Sequence, residues 1–84
     1  MPSRMVNNQL TVAHRRALAL LAGSTEGMTE GLTLALGFKR ELIAELIDAG
    51  LVAASKEYMG RGSRPVEIVR LKITEAGRRV LDDR

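Results

Sequence analysis

The chain has no cysteine, which excludes disulfides, cysteine-ligated zinc and thiol catalysis and suits a reducing cytoplasm. Its single histidine, His14, rules out an all-histidine metal cluster. Tryptophan is absent, and Phe38 and Tyr58 are the only aromatic residues. That is too little material for the stacking platforms that hold RNA or single-stranded DNA. No apolar run approaches the roughly 18 to 20 residues that a membrane helix needs. The stretch Ala17–Ala22 behind His14-Arg15-Arg16 is also shorter than the apolar region of a secretory signal, about 7 to 15 residues, and reads as half of an amphipathic helix. No repeat or low-complexity segment is present, and no metal set, nucleophile pair or phosphate-binding loop points to an enzyme or a small-molecule cofactor. Duplex DNA and protein remain as partners, and a membrane does not.

What is there is an ordinary globular composition, 45% hydrophobic and 27% charged, in 84 residues that allow one domain and no separate sensor. Residues 1–8 lack an apolar period and read as an arm, leaving 9–84 as the domain. Leu10, Ala13, Ala17, Leu20 and Leu21 recur at helical spacing up to Ala22, and Gly23 and Ser24 stop that helix. After a loop through Gly27, Thr29 caps a short second helix carrying Leu32, Leu34, Ala35 and Leu36, which ends at Gly37. The strongest helical pattern runs from Phe38 to Ala49, with apolar residues at 38, 42, 43, 46, 47 and 49, about 18 Å at 1.5 Å per residue. Gly50 terminates it. An extended segment from Leu51 to Tyr58, a glycine-rich turn over 59–65 and a second strand from Val66 to Ile73 follow. Thr74 then caps a last helix, Glu75 to Asp82.

Two segments in this order, Asp48-Ala49-Gly50-Leu51-Val52 and Leu71-Lys72-Ile73-Thr74-Glu75-Ala76-Gly77-Arg78, stand one hairpin apart. They resemble the winged helix-turn-helix superfamily, in particular small bacterial regulators of the MarR-like type, over about residues 9–82. The resemblance implies an α+β fold, a three-helix bundle with a two-stranded β wing and a short C-terminal helix. It also implies transcriptional regulation through duplex DNA, with the third helix in the major groove and the wing on backbone or minor groove. By position it assigns Lys39, Arg40 and Ala44 to the groove. A homodimer would double the few base contacts one such module offers.

Charge is unevenly distributed. Residues 1–22, 23–50 and 51–84 carry net +3, −3 and +3, so the helix-turn-helix segment is acidic and the wing basic. Electrostatics therefore favours contact through the wing, where Lys56, Arg61, Arg64 and Arg70 are read as one cluster, over deep insertion of the third helix. The turn Gly60-Arg61-Gly62-Ser63-Arg64-Pro65 approaches the Arg-Gly-Arg-Pro core of AT-hook peptides, with Ser63 interrupting it. Any exposed hairpin loop also collects Gly, Arg, Ser and Pro, so phosphate contact by these arginines is the simpler reading. The other reading of the same domain is a protein-contact module, in which Glu41, Ala44, Glu45 and Asp48 face a basic partner. Glu41 and Glu45 are otherwise surface charges offset by Lys39 and Arg40. His14 is placed on the solvated side of the first helix, and Met28, Tyr58 and Met59 are read as packing residues at the hairpin. The expected core is Leu10, Ala13, Ala17, Leu20, Leu21, Leu32, Leu36, Phe38, Leu42, Ile43, Leu46, Ile47, Leu51, Leu71, Ile73, Val80 and Leu81.

Overall fold

A computed structural model describes residues 10–60, 62 and 64–82. The arm over 1–8 and Arg61 lie outside the described residues. The first helix, α1, spans Val12–Ala22. Thr11 caps it by accepting the His14 N–H at 3.2 Å, and the His14 ring returns to the Thr11 N–H at 3.0 Å. This is a capping box with histidine where glutamate or glutamine is usual.

A two-residue strand that the sequence did not disclose, β1 (Met28–Thr29), follows the loop and pairs antiparallel with Leu71 and Arg70. Gly27 makes this approach possible. It has φ of 81°, and a Cβ there would lie 2.3 Å from the Leu71 carbonyl oxygen, so no other residue fits without moving the strand. Thr29 ends β1 and caps α2 (Glu30–Ala35), accepting the Leu32 N–H at 3.1 Å. The α3 helix covers Arg40–Asp48, shorter than the periodicity indicated because Phe38 and Lys39 precede its first turn. Strands β2 (Val52–Met59) and β3 (Val66–Ile73) form an antiparallel hairpin, and α4 (Glu75–Asp82) closes the chain. The architecture is α+β, four helices with a three-stranded antiparallel sheet in the order β1-β3-β2.

The core lies between one face of that sheet and the helices. Ala17, Leu18 and Leu21 of α1 meet Ile43 and Leu46 of α3, Leu51, Val52 and Leu71, with Phe38, Leu42, Ile73, Val80 and Leu81 packed around them. Four expected core residues are exposed: Ala13, Leu32, Leu36 and Ile47. Leu18 and Val52 are buried instead. In α1 the expected stripe 10, 13, 17, 20 and 21 is rotated: Ala17 and Leu21 are buried as expected, but His14, read as solvated, and Leu18 complete the buried face in place of Ala13. In α2 the inward residue is Thr33, whose hydroxyl donates to the Thr29 carbonyl at 2.9 Å, which turns Leu32 and Leu36 outward.

Candidate nucleic-acid interface

The α3 surface follows from its core. With Ile43 and Leu46 buried and Leu42 half-buried, the opposite side of the helix presents Glu41, Ala44, Glu45 and Asp48, all exposed. Cations stand at its N-terminal end only. Lys39 is the N-cap, and its side chain makes no capping bond to the first turn. Arg40 pairs with Glu30 of α2 at 3.6 Å while its side chain stays 71% exposed.

Strand alternation and register distribute the wing residues. Lys56 pairs diagonally with Glu67 at 3.6 Å on the face that continues from Val52 and Ala54, and it remains exposed. Arg70 is on the other face, opposite Ser55 on β2 and Thr29 on β1. Its Nε donates to Glu57 at 3.0 Å. It therefore sits in the body of the sheet, five residues from Pro65, and the sequence-based cluster of four wing-tip cations loses this member. Arg64 is exposed at the turn, and Arg61 lies outside the described residues. The last rung of the hairpin, Met59 opposite Val66, is apolar and exposed, and so is Tyr58 one rung before it, so Tyr58 and Met59 do not fill gaps in the core, contrary to their reading as packing residues. Met28, on β1, does pack against the core.

His14 departs most from expectation. It is 5% exposed, on the buried side of α1. Nδ1 accepts the Thr11 backbone N–H at 3.0 Å and stands 2.8 Å from Thr11 Oγ1. Nε2 lies 2.7 Å from Glu45 Oε1 on α3. Glu45 is thus held by histidine and Arg40 by Glu30, replacing the local Lys39 and Arg40 compensation expected for the carboxylates. Nothing in the sequence near Glu45 could signal this, since its partner is a full helix-turn-helix away.

An open groove of about 660 Å³ runs between α1 and β1, lined by Ala19, Leu20, Gly27, Met28, Leu32 and Arg70 among others. Among the described residues, no three His, Asp or Glu side chains converge as a metal site, and no helix is long and apolar enough to cross a membrane. Comparison with protein-family models, curated proteins and solved structures finds no match to this chain.

Proposed function

We propose that the protein is a winged helix-turn-helix regulator that contacts duplex DNA through its wing and the N-terminal end of α3. The observation that carries this reading is the order α1-β1-α2-α3-β2-β3 with β1 folded back onto β3, which sets α3 against a hairpin whose far end, Met59 opposite Val66, is exposed. Fold alone is an analogy, so the charges must support it. Lys39 and Arg64 are exposed and have no ion pair among the described residues. The pairs of Arg40 and Lys56 are long and solvent-exposed, worth about 0 to 1 kcal/mol each, so exchange of the carboxylate for a phosphate costs little. Arg70 is different: its side chain is 26% exposed and bonded to Glu57, which makes it a sheet residue in this reading. Contact is then mainly with phosphates, and a two-fold pair of chains would supply the affinity that one module lacks.

The test is anisotropy of a labelled random-sequence duplex titrated with the protein at about 50 and 200 mM salt. Four or more phosphate contacts should lower affinity by about 10²-fold or more across that range. The double variant Arg61→Ala, Arg64→Ala should bind every sequence more weakly and with a shallower salt slope. Unchanged affinity in that variant removes the wing from the interface. No binding at low salt favours the second reading, a protein-contact module. Its motive is the outward face of α3, where Glu41, Glu45 and Asp48 flank Ala44 with no cation among them.

A further inference from the structure

His14 is the one titratable ring buried in the fold, and both of its nitrogens are engaged. A backbone N–H can only donate, so the 3.0 Å bond from Thr11 N requires a lone pair on Nδ1. The ring proton then belongs to Nε2, which donates it to Glu45 Oε1. Thr11 Oγ1, 2.8 Å from Nδ1, is a hydroxyl that can turn from donor to acceptor. A second proton arriving at Nδ1 therefore finds an acceptor in place. It also sets two N–H groups against each other, because Thr11 N loses the lone pair it was bonded to.

Gaining that proton breaks one half of the capping box and turns the bond to Glu45 into an ion pair between α1 and α3. Glu45 is one of three carboxylates on the outward face of α3, so the same event neutralises one of the three. The helices and strand packed against α1 are α3, α4 and β3. Their charged groups are Arg40, Glu41, Glu45 and Asp48; Glu75, Arg78, Arg79 and Asp82; and Glu67, Arg70 and Lys72. Arg40, Arg70, Arg79, Glu67 and Glu75 are paired with other side chains, and Arg78 reaches the Ala22 carbonyl. On α1 itself Arg15 donates to the Val80 carbonyl and Arg16 is exposed. Among the described residues, Glu45 is the charged side chain in contact with the imidazole.

We infer that His14 is a proton-sensitive positioning residue, coupling the N-terminal cap of α1 to the charge that α3 presents to a polyanion. The structural half of this stands on the ring geometry alone. Its effect on binding rests on the proposed DNA contact.

The experiment uses the full chain labelled with nitrogen-15, in which a lone histidine gives two unambiguous ring signals. Spectra are followed as the pH is lowered from about 8 to about 5. At the upper end the proton should be on Nε2 with a lone pair on Nδ1. Acidification should protonate Nδ1 and lower the protection of the Thr11 amide relative to the intrinsic exchange rate at each pH. A proton on Nδ1 at the upper end, or a Thr11 amide indifferent to the titration, overturns the inference. Duplex affinity measured over the same range should rise as pH falls, by no more than about tenfold per pH unit, the limit for one linked proton. His14→Gln keeps the capping box and a donor for Glu45 but cannot titrate, and its affinity should lack that rise. The same rise in both proteins overturns the link to α3. If no duplex binds at any pH the DNA reading fails by itself, and the ring spectra still decide the tether.

Discussion

Gly77 of α4 lies directly against the carbonyl of Leu51: a Cβ on residue 77 would stand 2.3 Å from that oxygen and 2.7 Å from Cγ1 of Ile73. The contact belongs to a joint. Thr74 donates its backbone N–H to the same Leu51 carbonyl at 3.0 Å and its hydroxyl to the Gly50 carbonyl at 2.7 Å, while that hydroxyl accepts the Gly77 N–H at 3.0 Å. The end of α3 and the start of α4, the two segments on which the winged-helix resemblance rests, are thus two sides of one contact.

Gly77→Ala should destabilise the fold by at least about 1 to 3 kcal/mol, since the methyl meets backbone and a packed side chain. Gly31→Ala is the matched control. Gly31 is also helical but has open space around its Cα, so the substitution should stabilise by about 0.4 to 1 kcal/mol. Urea unfolding of the two variants beside the parent checks both signs. Equal effects would refute the close packing at the joint.

Leu18→Ala should cost about 2 to 5 kcal/mol, because its side chain is fully buried between α1 and the sheet. A domain of this size has only about 5 kcal/mol in total, so the variant should keep no more than about 3 kcal/mol and its urea midpoint, followed by far-ultraviolet circular dichroism, should fall by at least about two fifths. Leu36→Ala should change stability by no more than about 0.5 kcal/mol, its side chain being 54% exposed.

Arg70→Ala and Arg64→Ala should separate stability from binding. Removing Arg70 breaks the bond to half-exposed Glu57 and should lower the urea midpoint, with the salt slope of duplex binding unchanged. Removing Arg64 should leave the midpoint unchanged and reduce the slope by about one phosphate contact. A reduced slope in Arg70→Ala would return that residue to the interface.

Thr11→Ala removes the hydroxyl that caps α1 and should cost about 1 kcal/mol, with Thr11→Ser close to the parent. Thermal unfolding of the three proteins is sufficient to read this.

The parts of the fold governed by local physics were legible in the sequence. The strand Val66–Ile73 and the helix from Glu75 to about Asp82 were readable, since alternation at 69, 71 and 73 and the Thr74 cap are encoded where they act. β1 was not, because two residues carry no period and their pairing with Leu71 and Arg70 is purely tertiary. The candidate site was legible by residue type and illegible by pairing. Glu30, Glu57 and Glu67 claim Arg40, Arg70 and Lys56 across elements, through a register that composition does not contain. His14 was misplaced because burial of an imidazole depends on partners for both nitrogens, and one of those partners is on another helix.

The short strand β1 also bears on the order in which the chain assembles. The β2–β3 hairpin joins neighbours in sequence and closes a small loop, while Met28 can meet Leu71 only after α2, α3 and the hairpin have been gathered between them. Loop closure of that span costs entropy before its two residue pairs return any bonding, so β1 docks late, on a hairpin already made. Gly27, whose positive φ and contact with the Leu71 carbonyl leave no room for a side chain, lies in the loop that performs this docking, so a substitution there acts on a late step of assembly.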